Sequence, residues 1–299
     1  MAVDRDIAPG GGRKAADTSS AVRAYYEKNT RLFLALGIGR RTLSIRRAVW
    51  AEGVRSLEEA VNYTNGLVAA EARSRDGARR SGTLRILDIG CGVGGSLFFL
   101  ADAAGVPLEG VGVTISPRQA EMAGREARLR GLSGQCSFIV GDFARLDGLP
   151  LFPLAFAIES FVHFAAPAVF FAAAARVIAP GGRLIIVDDF LAGERSSPQE
   201  RRRIDAFRKG WLLSSLCTVP GAVHAAAGYG MRLVEDRDLS AYLSKPASSR
   251  MVWWAARVMR ALPVPWPYWR STVGSLALAA CRQDRLVEYH FLVFERTPQ

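Results

Sequence analysis

The sequence predicts an α/β fold built on a doubly wound, parallel sheet, and three observations carry that expectation. From Leu84 onward, short apolar runs alternate with helix-length segments, the rhythm of strands joined by crossover helices. The glycine-rich stretch Gly90-Cys91-Gly92-Val93-Gly94-Gly95 closes the first run where a helix must begin. The runs are apolar nearly throughout, as in strands covered on both faces.

Taken in order, residues 1 to 18 contain Asp4, Asp6 and Pro9-Gly10-Gly11-Gly12 and no apolar core, so they read as a disordered leader and not as a signal peptide. Residues 19 to 80 read as a helical cap. One apolar stripe runs through Ala21, Tyr25, Tyr26, Phe33, Leu34 and Leu36 and a second through Ile45, Val49, Val54, Leu57 and Val61, with Gly37-Ile38-Gly39 between them. A polar connector leads into the core, residues 81 to 192. Its strands are Leu84 to Ile89, Leu108 to Val113, Cys136 to Val140, Leu154 to Glu159 and Arg183 to Asp188; its helices are Gly95 to Ala104, Pro117 to Arg130 and Ala168 to Val177. Residues 193 to 222, with a basic helix from Pro198 to Lys209, interrupt the rhythm where an insertion lies over the C-terminal edge of the sheet, so they read as an inserted lid. Residues 223 to 299 return to the core and the substrate pocket. They carry Trp253, Trp254, Trp266, Tyr268 and Trp269 among prolines and end in a strand from Val287 to Phe294.

Composition excludes several classes. The chain has 299 residues, 49% of them hydrophobic, enough for a large core and unlike a disordered chain or a fibre. Its four cysteines are far apart with no CxxC pair, against a structural zinc site or a disulfide scaffold, and they suit a reducing, cytoplasmic setting. No stretch reaches the roughly 18 unbroken apolar residues of a membrane span. The net charge of +11 comes from arginines spread thinly along the chain, without the aromatic-interleaved basic stripe of a nucleic-acid binder. The denser spots, Arg40-Arg41 with Arg46-Arg47, Arg79-Arg80 and Arg201-Arg202-Arg203, read as solvated faces or, for one of them, as a site for a diphosphate on a small substrate.

The most informative segment is Leu87-Asp88-Ile89-Gly90-Cys91-Gly92-Val93-Gly94. Its glycines let the backbone approach a ligand, the following helix start favours an anionic group, and the lysine and hydroxyl of a P-loop are absent. This run resembles motif I of the class I S-adenosylmethionine-dependent methyltransferases, and the resemblance extends over residues 84 to 190. It implies a Rossmann-like fold and S-adenosylmethionine as cofactor. It also implies that Gly90, Cys91, Gly92 and Gly94 wrap the amino-acid end of the cofactor while Asp88 orders the loop. Gly141-Asp142-Phe143 is similar to the family segment in which the carboxylate accepts from the adenine amino group and the next N–H meets a ring nitrogen. Ala179-Pro180-Gly181-Gly182 resembles an architectural turn of the family. Where the family has a ribose-binding acid, this chain has Thr114. Its Gly112-Val113-Thr114-Ile115-Ser116-Pro117-Arg118-Gln119 resembles a narrower group, the sterol, tocopherol, cyclopropane fatty acid and prenyl diphosphate methyltransferases. That implies ribose and adenine contacts from Thr114, Ser116 and Gln119, although Ser116 also reads as a helix N-cap with Pro117 first in the helix.

Glu159 and His163, in Glu159-Ser160-Phe161-Val162-His163, are the candidate catalytic residues. A carboxyl group among Phe156, Ile158, Phe161 and Phe164 is costly to bury unless paired or used. The same E-S-x-x-H spacing is similar to that of the narrower group. Methylating an alkene leaves a carbocation, and a nearby carboxylate can stabilise it and take the proton it loses. His163 orients Glu159, receives that proton, or is simply a hydrogen-bonded histidine at a helix start. Tyr25 and Tyr26 match the family's N-terminal segment, which implies that they cover the cofactor and touch substrate; Trp211 joins them as a substrate-binding candidate.

Together these features predict a methyltransferase acting on an isoprenoid alkene, a prenyl diphosphate or a terpenoid side chain, through a carbocation in specialised metabolism. The alternative is oxygen or nitrogen transfer to an aromatic or other small natural product, which needs only proximity and a base. No protein metal site is expected, and Mg²⁺ enters only with a diphosphate substrate. Gly37 to Gly39 offer a hinge through which N-terminal helices can exchange in a homo-oligomer.

Overall fold

The computed structural model describes residues 19–30, 42–44, 46–76, 82–103, 105, 107–193, 197–243, 254, 257–258 and 269–298. Helix α1 covers 19–30 and α2 covers Leu57–Asp76. The core then runs β1 (Leu84–Ile89), α3 (Gly95–Ala103), β2 (Leu108–Thr114), α4 (Pro117–Leu129), β3 (Cys136–Val140), β4 (Phe152–Ile158), α5 (Pro167–Val177) and β5 (Ile178–Leu191). Helices α6 (Pro198–Trp211) and α7 (Val219–Ala227), strand β6 (Met231–Asp238), helix α8 (Trp269–Gln283) and strand β7 (Val287–Arg296) complete it.

The seven strands lie in the order β3-β2-β1-β4-β5-β7-β6. The first five are mutually parallel, and β7 runs antiparallel between β5 and β6. Strand order reverses between β1 and β4, so the crevice above their C-terminal ends is the switch point where open α/β sheets bind ligands.

Burial on both faces follows from the pleat, which sends alternate side chains to opposite sides. Leu87 and Ile89 of β1, Ala155 and Ala157 of β4, and Leu292 and Phe294 of β7 enter one core with α5, α6, α7 and α8. Leu84 and Ile86, Leu154 and Phe156, and Phe291 and Val293 enter the other with α2 and α3. Each fully buried phenylalanine contributes about 1.5–3 kcal/mol by area, and Phe161, Phe170 and Phe171 fix one another edge-on or tilted beneath β4.

One expectation is corrected. The second apolar stripe of the cap is not helical throughout: residues 46–56 form an irregular strap, held by a bridge from Val49 to Leu243 and by Trp50 N–H to the Tyr242 carbonyl at 2.7 Å. Val49 is buried against a distant residue and not against its own helical turn. Within the segment expected as a lid, helix α6 packs into the body of the fold. Ile204, Ala206 and Phe207 of α6 belong to the main core, and Arg203 pairs with Asp284 beside α8. The segment after Thr218 is helical, and Pro220 sits in its first turn, where its missing N–H costs nothing. The leader, the Gly37 to Gly39 hinge, Arg40, Arg41, Arg79, Arg80, Trp253, Trp266 and Tyr268 lie outside the described residues.

Candidate active site

A cavity of about 390 Å³ opens at the switch point. Its walls come from the ends of β1, β2 and β4, the loop after β3, helix α1 and the strap. Of the predicted cofactor residues, Asp88, Gly90, Cys91, Gly92, Thr114, Gln119, Asp142 and Phe143 line it, as do Glu159, His163 and Tyr26. Gly94 and Ser116 do not. Gly94 makes room for Phe98 and Phe138, and Ser116 is spent as the N-cap of α4, its hydroxyl accepting the Gln119 N–H. Tyr25 and Trp211 also lie outside the walls; their rings meet edge-on 6.3 Å apart and join α1 to α6.

Helix α1 is the true cover of this cavity. Ser19 donates to Asp142 at 2.8 Å, Gln119 donates to Thr30 at 3.1 Å, and Tyr26 meets His163 Nε2 at 3.0 Å. Thr114 in turn donates to the Gln119 carbonyl at 2.8 Å. Each residue predicted for the ribose and adenine end is thus tied to the cap directly or through one neighbour.

The amino-acid end is built by the glycine turn. Gly90 has φ +85°, and the N–H groups of Gly90 and Cys91 both donate to the Val113 carbonyl at 2.9 Å, closing the turn over β2. Asp88 is 3% exposed, and its Oδ2 has no hydrogen-bond partner. Burial raises its pKa to about 7, against the opposing pull of the Arg46 guanidinium. Burial likewise raises the Cys91 thiol, which stays neutral.

Glu159 ends β4 with φ +52°, a strained conformation for a side-chain-bearing residue. Its Oε1 accepts the Arg47 N–H and the Tyr289 hydroxyl, each at 2.9 Å, and its Oε2 lies 3.5 Å from the Arg47 guanidinium. Arg47 also bonds Asp189 at 2.5 Å and sits over the Tyr289 ring. Burial works against the charge on Arg47, but Asp189 and Glu159 outweigh it and hold the group firmly protonated. Asp189 is raised to about 6 by burial, partly offset by Arg47, and Asp188 is raised well above the carboxylate range by burial and by Asp189. These pairings correct the expectation that Arg47 serves a substrate diphosphate, because its charge is already met by two carboxylates.

His163 is held in one tautomer. Its Nδ1 lies 3.3 Å from the Leu212 carbonyl, which can only accept, so Nδ1 carries the proton and Nε2 accepts from Tyr26. Burial, outweighing Leu212 and Glu159, holds it at about 4, and burial also raises the Tyr26 hydroxyl above its ordinary value. The sequence reading missed Arg46, Ser96, Thr30, Asp189 and Tyr289. Arg46 and Arg47 stood out as a basic pair, but nothing local says that one turns to the glycine loop and the other to Glu159.

A glycine turn at the switch point of a doubly wound sheet, facing an acid on the next strand, defines a Rossmann-like cofactor-binding protein. The family model for a methyltransferase domain matches residues 86–182. Tocopherol O-methyltransferase, chloroplastic, of Arabidopsis thaliana is 31% identical over 62% of this chain and 53% of its own length. O-methyltransferase resE of Aspergillus sclerotiorum is 33% identical over 62% of this chain and 67% of its own. The chain spans about half the length of the first curated relatives it matches. Geranyl diphosphate C-methyltransferase from Streptomyces coelicolor A3(2), solved with Mg²⁺, geranyl diphosphate and S-adenosyl-L-homocysteine, has the same fold, with a TM-score of 0.65 at 15% identity, covering 94% of this chain and 98% of that one. The chain belongs to the class I S-adenosylmethionine-dependent methyltransferases. No helix among the described residues is long and apolar enough to cross a membrane.

Proposed function

We propose that the chain is a cytoplasmic enzyme of specialised metabolism that transfers the methyl group of S-adenosylmethionine to an alkene carbon of an isoprenoid, and that the acceptor is a neutral terpenoid side chain. The cavity fits the cofactor: Asp88 offers a buried oxygen without a donor, Gly90 and Gly92 keep side chains off the floor, and Thr114, Gln119 and Asp142 present polar groups along the wall. When bound there, the cofactor supplies an electrophilic methyl on a sulfonium.

The observation that carries the reading is Glu159, a carboxyl group on the cavity wall held by Arg47 and Tyr289 just after β4. His163, its imidazole buried and hydrogen-bonded, is held well below its ordinary pKa and is a poor base for a phenol. A carbon next to a carbocation gives up its proton so readily that a carboxylate or a weakly basic imidazole suffices. The Glu159 carboxylate at the cavity wall can stabilise a developing cation electrostatically, in a field that Arg47, Arg282 and Asp189 also shape. Glu159 then takes the proton, or Tyr26 takes it while passing its own to His163 Nε2. Because Arg47 is paired, a neutral acceptor suits the site better than a diphosphate.

Both relatives described above bear names that specify transfer to oxygen, which favours transfer to oxygen as a second reading. Mass spectrometry of the products from methyl-deuterated S-adenosylmethionine separates the cases, using neutral terpenoids, phenols, and geranyl, farnesyl and geranylgeranyl diphosphates with and without Mg²⁺. The expected product carries the label on carbon of a neutral terpenoid. Label on a diphosphate alone would restore the anion site and its Mg²⁺, and label on oxygen would replace the carbocation mechanism.

A further inference from the structure

The tryptophan-rich part of the chain before α8 has no role in the site described above. From Leu239 to Gln283 the sequence contains no aspartate or glutamate, yet it contains Lys245, Arg250, Arg257, Arg260, Arg270 and Arg282 and four of the chain's six tryptophans. We propose that this acid-free stretch docks the protein on an anionic lipid surface, with Trp254 and Val258 entering the interface and Arg257 meeting lipid phosphates.

Three described residues show what the stretch presents. Trp254 is 67% exposed, Val258 is 38% exposed, and Arg257 is exposed between them. All three are helical, and their spacing of i, i+3 and i+4 is the one that brings side chains together on a helix face. Such a face suits the boundary of a bilayer, where an indole sits at the headgroup level, an aliphatic side chain reaches the acyl region and a guanidinium meets phosphate. Tyr242, 43% exposed at the start of the stretch, accepts through its carbonyl the N–H of Trp50, which is 40% exposed on the strap. Arg46 of the same strap lines the cavity, so the aromatic surface and the cavity share a segment. Glu52 is exposed beside Trp50, which leaves the attraction for anions to the acid-free stretch.

The charge is complementary to an anionic membrane. Arg282 faces Asp189 and Glu159 inside the fold, and the other five cations have no acidic neighbour within the stretch. Each lysine or arginine brought near anionic headgroups strengthens partition by about fivefold, so a few of them with an indole anchor bind a surface without a spanning helix. A polynucleotide would also answer the charge. The stretch, however, sets Met251, Val252, Val258, Met259 and Leu262 among its cations, aliphatic side chains that a bilayer takes up and on which bases do not stack. A lipid surface also holds greasy acceptors that water does not dissolve. The docking itself needs neither acceptor nor cofactor.

The test is vesicle binding by the full chain, measured without cofactor, so that its failure leaves the methyltransferase assignment untouched. Vesicles of phosphatidylcholine with about 30% phosphatidylserine are expected to bind at least about tenfold tighter than phosphatidylcholine alone, and less tightly as salt is raised. Arg257→Gln should weaken that binding by about fivefold and Trp254→Ser by about tenfold or more. Both side chains face solvent, so the melting temperature should stay within about 1 °C of the wild type. Lipids brominated on their acyl chains should quench the tryptophan fluorescence of the wild type, and do so less in Trp254→Phe. Absence of binding by the wild type, or equal binding by Trp254→Ser, would overturn the proposal. A dimer in light scattering that Trp254→Ser disperses while vesicle binding is unaffected would overturn it too, making the face a contact between copies of the chain. Single-stranded RNA that binds as tightly as the vesicles and is lost in the same variants would make the stretch a polyanion site instead.

Discussion

Gly90→Ala is expected to raise the dissociation constant for S-adenosylhomocysteine by about 100-fold or more, through strain and overlap that together exceed about 2.7 kcal/mol. At φ +85° an L-residue is strained wherever it sits, and here a Cβ would lie 2.4 Å from the Ser160 Cβ. Ser160 cannot swing away cheaply, because its own Cβ is the obstacle and its hydroxyl is bonded to the Ile89 carbonyl. The turn must move instead, carrying Cys91 and Gly92 off the cavity floor. Adding Ser160→Gly should recover part of the affinity, since it removes the overlap but leaves the backbone strain. Calorimetric titration checks the affinity, and a thermal scan checks that the fold survives, with a fall of about 2–4 °C per kcal/mol lost in a chain of this size. Unchanged affinity would show that the turn does not hold the cofactor.

Much of the architecture is legible in the sequence because four of the five parallel strands are apolar runs of five to seven residues bounded by turn residues, while β5 runs on from Ile178 to Leu191. Cys136–Val140 begins and ends where its apolar run does, and Pro117 after Ser116 marks the start of α4. What escaped has a physical reason in each case. Strand β6, with the sequence Met-Arg-Leu-Val-Glu-Asp-Arg-Asp, is an edge strand whose charges guard its open side, so it carries no apolar signature. The strap failed for the opposite reason. Val49, Val54, Leu57 and Val61 have a spacing near the helical one, yet the partner of Val49 is Leu243, far along the chain, and local periodicity is blind to that.

The candidate site divides in the same way. The glycine turn, Asp142 and Glu159 are visible because strand ends and motif spacing put them at the switch point. The partners of Glu159 are not, because Arg47 comes from the strap and Tyr289 from β7, and Arg47 in turn is bonded to Asp189 of β5, three segments joined only by the fold. This explains how a carboxyl group can sit among phenylalanines. It is paired, and pairing leaves its second role open to a direct test.

Glu159→Gln is expected to lower turnover by about 10²-fold or more, the usual scale for a positioned base or charge in the transition state. Affinity for S-adenosylhomocysteine should change by less than about fivefold, because Arg47 keeps its bond to Asp189 and so keeps the strap in place. The amide preserves shape and can still accept from Tyr289 and from the Arg47 N–H. What it loses is the negative charge at the cavity wall, and with it the electrostatic support for a cation. Arg47→Met supplies the contrast. It leaves Glu159 and Asp189 buried together without a counter-charge, a loss of about 3–5 kcal/mol, so its main effect should appear as a lowered melting temperature. Single-turnover rates at saturating cofactor separate the two roles of Glu159. If the carboxylate only latches the strap, Glu159→Gln will weaken cofactor binding and lower stability while the rate from the full complex stays near normal. A slow rate from a stable, fully bound complex places the charge of Glu159 in the transition state, where a carbocation requires it.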